Sequence, residues 1–271
     1  MVKQERAART REALVRAAAE VFAEEGFTAA SIAVISRRAR VSAGGLHFHF
    51  AGKQVLAGAV QDRAAGALSR ITAGAAVPPA ATTRTTPAPA PAPGPGGSAG
   101  AGGGAGAGAG GSAGVGESAG AGGRAGGGGS SGGGSLQVLV DSTHRLMALL
   151  AHDAVVRAGF ALCADPAFEG TADLRRQWRL WVEAAMAAAA REGLLAEGIL
   201  PEDAARGVVA ATVGLEVLGA YDRQWLAPHT LTRFWTLMLP RLASPPALDA
   251  LLPQGSPGSA AAPPDPDTKS D

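Results

Sequence analysis

Residues Ser31–Leu56 read SIAVISRRARVSAGGLHFHFAGKQVL, and the fold of the chain follows from how this stretch is parsed. Ser31 offers a side-chain acceptor where a helix would begin, and Ile32, Ile35 and Ala39 then recur on one face. Arg40-Val41 breaks the period, and Ser42 is a second N-cap opening a short helix over 43–48. Another helix starts near Gly52-Lys53 and carries Val55, Leu56, Val60, Ala64, Ala67, Leu68 and Ile71 inward. Two short helices across a tight turn form a helix-turn-helix, whose second helix must project its first side chains onto base edges. Val41 plugs the angle between the two helices, and Leu46 and Phe50 tie the second to a core. Ser42, Ala43, Gly44, Gly45 and His47 are left facing outward. Two adjacent glycines cost a helix about 1 kcal/mol each relative to alanine. Close approach to DNA is a physical reason to accept that cost.

On the N-terminal side, Leu14, Ala17, Ala18, Val21 and Phe22 predict a helix over 11–25 that stops at Gly26, with residues 3–6 as a mobile basic arm. On the C-terminal side the pattern fails at Pro78. Prolines and then Gly/Ala/Ser repeats run to Ser135, and 23 of the 39 glycines lie between Gly94 and Gly134. Such composition buries too little apolar area to offset its ordering entropy, so 78–135 is expected to be a disordered insert. A phosphate-binding glycine loop is excluded, because no strand precedes the segment and no GK[ST] follows it. Helical periodicity resumes at Leu136 and predicts helices near 136–152, 155–164, 171–192, 201–221 and 230–242. The expected fold is all-α with nine helices. Its parts are a reader over 1–52, a connecting helix over 53–77, a helical body over 136–243 and a mobile tail over 244–271. Without insert and tail, roughly 185 residues remain, enough for a real core.

The net charge of +1 conceals an asymmetry: residues 1–70 hold eleven Lys/Arg against six Asp/Glu, so the remainder is acidic. A basic N-terminal third fits a module that binds phosphate. The single cysteine, Cys163, forms no intramolecular disulfide and reads as a small buried hydrophobe. The charged N-terminus does not resemble a signal peptide, and no apolar run reaches the roughly 18 residues of a membrane span. A cytoplasmic location is expected, with no membrane partner. Asp141, His144, His152 and Asp153 have the residue types of a metal or acid–base cluster, but no HExxH or CxxC spacing exists. Asp141, His144 and Arg145 read as a solvated face, and His152-Asp153 as a helix end with its cap. Hence no enzyme, metal or cofactor is expected.

The set Phe22, Gly26, Phe27, Ser31, Ile32, Ile35, Ala39, Val41, Ser42, Gly44, Leu46, His49, Phe50, Lys53 and Leu56 resembles the DNA-binding domain of the tetracycline-repressor (TetR) family over residues 8 to about 60. The resemblance implies an all-α homodimer on double-stranded DNA with a near-palindromic operator. Ser31, His47 and Lys53 would contact phosphates, with Ser42, Ala43, Gly44 and Gly45 at the major groove. The chain departs from the family pattern at Arg40 (a turn glycine), His47 (a tyrosine) and Gln54 (a glutamate). With few long side chains on the reading helix, base specificity would fall to Arg37, Arg38, Arg40 and DNA shape.

Three segments, GLHFHFAGK, LQVLVDSTHRLMALLAHDAVVRAGFAL and the Trp178/Trp181 helix ending REGLLAEGIL, resemble the γ-butyrolactone autoregulator receptors of antibiotic-producing actinomycetes. That likeness implies a repressor released by a small apolar effector, a γ-butyrolactone, with pseudo-receptors that sense an antibiotic as the alternative. A DNA-independent scaffold is the remote one. By spacing, Trp178 and Trp181 share one helix face and either fill the core or line a pocket. The resemblance favours Trp181 for ligand contact, then Trp178. Thr143, His144, Arg157 and Gln177 are nearby polar candidates. A dimer surface is expected from Val209, Ala210, Val213, Gly214, Val217 and Leu218, extended by Phe234, Trp235 and Met238, although core packing within one subunit could use the same side chains.

Overall fold

A computed structural model of the chain describes residues 2–73 and 133–259. Ten α-helices and one 3₁₀ turn follow in order among these residues: α1 (Val2–Ala29), α2 (Ile32–Arg38), α3 (Ala43–His49), α4 (Lys53–Ala73), α5 (Gly134–His152), α6 (Ala154–Ala164), α7 (Leu174–Arg191), α8 (Pro201–Gly219), the 3₁₀ turn (Arg223–Leu226), α9 (Pro228–Leu242) and α10 (Pro245–Leu248). The described residues contain no strand, only one isolated bridge between Leu195 and Ala243.

The caps explain where most helices start. Ser31 Oγ accepts from Val34 N–H at 3.3 Å and Ser42 Oγ from Gly45 N–H at 3.1 Å, fixing α2 and α3 as expected. Asp153 closes α5 and opens α6, where its Oδ1 accepts from Val155 and Val156. Asp173 caps α7, so that helix begins three residues later than the periodicity suggests. Gly26, at φ 78°, breaks the path of α1 close to its predicted end.

Other boundaries differ. Residues 3–6 are not a free arm: α1 extends to Val2, the Arg9–Glu5 pair at 2.6 Å spans one turn, and the Thr10 hydroxyl donates to Arg6 C=O. The insert was expected to run through Ser135, yet Gly133–Ser135 start α5. Ser135 N–H and hydroxyl both donate to the Glu192 carboxylate, at 2.8 and 2.5 Å. The rest of the insert, 78–132, lies outside the described residues.

The tail was also expected to be mobile from Ser244. Instead Ser244 N–H donates to Leu194 O, and residues 252–256 lie on α5: Leu252 N–H donates to Gln137 Oε1, Ser256 N–H to Asp141 Oδ1, and His144 Nε2 lies 3.0 Å from Pro253 O. Asp141 and His144 are therefore buried rather than solvated. Their polarity serves one backbone amide and one carbonyl that an irregular segment cannot satisfy internally. Residues 260–271 lie outside the described region.

Two cores hold these helices. Leu14, Val21, Phe22, Ile35, Leu46, Phe50, Leu56 and Val60 form the first, and Ala158, Leu162 and Phe168 from α6 and the following loop complete it. The second gathers Leu136, Leu139, Leu146, Trp178, Val182, Val208, Leu231 and Trp235 with the far end of α4. Helix α6 thus packs on α1 and on α4. At Gly159 it approaches Ala64 so closely that any added Cβ would overlap it. Helices α5 and α6 meet at 95°, and no single described helix is long and apolar enough to cross a membrane.

Candidate nucleic-acid interface and effector site

The reader surface is built by α2, the turn and α3. Arg40 occupies the turn at φ 55°, the one non-glycine residue at positive φ among those described. An L side chain there costs roughly 1–2 kcal/mol, so the departure from glycine in the sequence is a real strain. Arg37 and Arg40 are exposed. Arg38 is committed elsewhere: it pairs with Glu24 at 2.8 Å, and that hydrogen bond raises its guanidinium above the ordinary value.

On α3, Ser42, Ala43, Gly44 and His47 are exposed and Gly45 is half-buried. The two glycines have different reasons. A Cβ on Gly44 would meet nothing within 4 Å, whereas one on Gly45 would lie 2.8 Å from Val41 Cγ1 and 3.2 Å from Ser42 Oγ. Gly45 is therefore required by the plug of the turn, and only Gly44 keeps the free surface expected of both. Phe48, absent from the expected outward face, is 82% exposed beside His47. Its signal was available: in GLHFHF only Leu46 and Phe50 have the spacing to face the core.

Lys53 is engaged within the chain. Its Nζ donates to Phe27 O at 2.8 Å, Ala30 O at 2.9 Å and Thr28 O at 3.3 Å, and sits 4.5 Å above the Phe27 ring. An ammonium has three donors, and all three close the carbonyls left open where α1 ends. Lys53 thereby ties the end of α1 to the start of α4.

In the helical body, Trp178 is buried and donates Nε1–H to Thr212 Oγ1 at 2.9 Å. Trp181 stacks on it with centroids 5.2 Å apart and planes 24° apart. The Trp181 indole is half-buried, and its Nε1–H is fully buried without an acceptor. An unpaired buried donor costs about 1–3 kcal/mol, which an incoming carbonyl or hydroxyl would recover. The other polar candidates are engaged within the chain. Thr143 accepts from Trp235 Nε1 at 2.9 Å, His144 faces Pro253 O, Arg157 donates to Leu150 and Ala151 carbonyls, and Gln177 to Ser69 Oγ.

The same bond corrects the dimer surface: Trp235 is fully buried core and cannot reach a partner. Val209, Phe234 and Met238 are half-buried against the core, and Val213 is half-buried. Val217 is exposed on α8, as are Ala210 and Leu218, Tyr221 is exposed in the turn that follows, and Leu237 on α9 is 77% exposed.

Residues 14–60 match the family described as bacterial regulatory proteins, tetR family. Over 62 residues, 23% of this chain, the sequence is 48% identical to the A-factor receptor protein of Streptomyces griseus, and the aligned stretch spans 22% of that receptor's length. A γ-butyrolactone receptor described as ArpA-like superposes with a TM-score of 0.63 at 20% identity, covering 92% of this chain and 96% of the receptor. CprB of Streptomyces coelicolor, solved in complex with its operator, superposes with a TM-score of 0.57 at 20% identity over 89% of this chain and 91% of CprB. Residues 14–60 thus carry the tetR-family match, and the fold of the chain is similar to that of the γ-butyrolactone receptors.

Proposed function

We propose that this chain is a dimeric transcriptional repressor that leaves its operator when a γ-butyrolactone-type signal enters the helical body. The observation that carries the reading is the exposed face of α3, with Ser42, Ala43, Gly44 and His47 free of the core and basic Arg37 and Arg40 beside it. That is the surface a reading helix offers to a major groove. CprB, solved on its operator, lends the fold-level analogy.

Two copies would pair through the outward faces of α8 and α9, where Val217, Leu218 and Leu237 are exposed. The stacked tryptophans favour an apolar effector body, and the unpaired Trp181 N–H favours a polar oxygen on it. An effector that binds one arrangement of the body better than the other would alter the spacing of two readers. The repressor would act in the cytoplasm, on genes for secondary metabolism.

A gel shift on the DNA upstream of its own gene tests the reading. Binding should fall by orders of magnitude between 50 and 200 mM salt, as expected for several phosphate contacts. Added γ-butyrolactone should release the DNA. Trp181→Phe keeps a ring to stack but removes the donor, so it should bind DNA normally while needing about tenfold more effector for release. Failure to bind any upstream DNA at low salt would sink the proposal. Release only by antibiotic extracts would assign the effector to that class instead.

A further inference from the structure

The C-terminal end of α5 is crowded with cations. Arg157 Nη1 donates to the Leu150 and Ala151 carbonyls, each at 3.1 Å, and Arg223 Nη1 reaches across from the 3₁₀ turn to Ala151 O at 2.5 Å. Burial, and then the neighbouring charge of Arg223, lower the Arg157 guanidinium from its ordinary value. Beside this junction opens a cavity of about 440 Å³. Met147, Ala148 and Leu226 supply apolar wall, and His144, His152 and Arg223 are its ionisable lining.

Among the described residues no carboxylate lines this cavity. The two acids adjacent in sequence are engaged as caps: Asp153 Oδ1 accepts from Val155 and Val156, and Asp222 Oδ1 from Gln224. His144 is held at Pro253 O, but Arg223 uses only Nη1, so its Nε and Nη2 donors are uncommitted among the described residues. His152 is exposed. No residue of α7 contributes, so the cavity is separate from the Trp178–Trp181 stack.

From this geometry we infer a second small-molecule site at the end of α5, which takes a singly charged carboxylate carried on an apolar body. The charged head pairs with Arg223 and His152, and the body lies against Met147, Ala148 and Leu226. The volume falls within the range of pockets that enclose a small organic ligand. Arginine suits the head because its planar donors match both oxygens of a carboxylate.

Decanoate and decanol, titrated calorimetrically into the full chain, separate charge recognition from simple greasiness. Decanoate should bind with one site per chain, at least about tenfold tighter than decanol, as a charge-assisted hydrogen bond would give. Arg223→Gln, at an exposed position, should erase that preference. Ala148→Phe should fill the cavity and abolish binding, its fold being checked by circular dichroism. If this variant misfolds, the Arg223→Gln result alone decides. Trp181→Ala should leave decanoate binding unchanged, so failure at one site is distinguishable from failure at the other. Equal binding of acid and alcohol, an unaltered preference in Arg223→Gln, or loss of binding in Trp181→Ala would overturn the inference.

Discussion

Trp178 and Thr212 join α7 to α8 through a single hydroxyl: the indole Nε1–H donates to Thr212 Oγ1 at 2.9 Å, while that hydroxyl donates to Val208 O, also at 2.9 Å. Thr143 repeats the device for Trp235, donating to Val140 O and accepting from the indole. Replacing Thr212 by valine keeps the volume but strands a buried N–H. Thr212→Val should destabilise the fold by about 1–3 kcal/mol, read from urea unfolding midpoints. A loss below a few tenths would mean that the indole finds another acceptor.

The glycine pair in α3 should respond with opposite signs. Gly44→Ala adds a methyl to open space and should stabilise by about 1 kcal/mol through helix propensity. Gly45→Ala forces its Cβ onto Val41 and should destabilise by roughly 1–3 kcal/mol. Thermal or chemical unfolding of the two variants side by side checks this. If Gly44 meets DNA closely, Gly44→Ala will also bind operator more weakly despite its greater stability.

Arg40→Gly relieves the left-handed strain at φ 55°. After allowing for the greater freedom of glycine in the unfolded chain, the net gain should be about 1 kcal/mol. The same change removes an exposed cation from the reader. Operator affinity should fall, and the salt dependence of binding should flatten by about one phosphate contact per subunit. Unchanged salt dependence would remove Arg40 from the DNA interface.

Lys53→Met should behave in the reverse way. It opens the three carbonyls that close α1, so the reader should lose roughly 1–3 kcal/mol of stability. Measured under conditions where the variant is folded, the slope of log affinity against log salt should match that of the parent. A slope reduced by about 1 would restore Lys53 as a phosphate ligand.

Glu216 adds a pH dependence. Burial holds its carboxyl above the ordinary value, outweighing the opposing pull of Arg175, with which it makes hydrogen bonds of 3.0 and 3.1 Å. A raised folded-state value means that the native chain holds this proton more tightly than the unfolded chain does. The stability from this group is present below the ordinary carboxylate range and is lost as pH rises through the folded value. Glu216→Gln cannot ionise, so its stability relative to the parent should improve as pH rises from the ordinary carboxylate range toward neutrality and above. Urea midpoints across that range decide the matter, and a pH-independent difference would contradict it.

The reader was legible because its signals are local. Caps at Ser31 and Ser42, the stop at Gly26 and the spacing of Ile35, Leu46 and Phe50 each act within a few residues. What escaped notice depends on distant partners. Lys53 reads as a free cation until Phe27, Thr28 and Ala30 present their carbonyls, and Gly45 reads as a concession to DNA until Val41 fills the space. Asp141 and His144 read as solvated because nothing in their own helix reveals that residues 252–256 lie over them. Trp235 reads as a dimer-surface aromatic until Thr143 Oγ1 accepts the hydrogen bond of its indole N–H.

Helix α6 belongs to both cores, with Ala158 and Leu162 beneath the reader and Val156 and Phe160 in the helical body. Its contact with Ala64 at Gly159 leaves no layer of solvent along which the two could part. Losing either core strips the other of one wall. The boundary after residue 52 therefore marks a division of labour but not of cooperativity. Reader and body should melt together, as one calorimetric transition whose van't Hoff enthalpy per subunit approaches the measured heat.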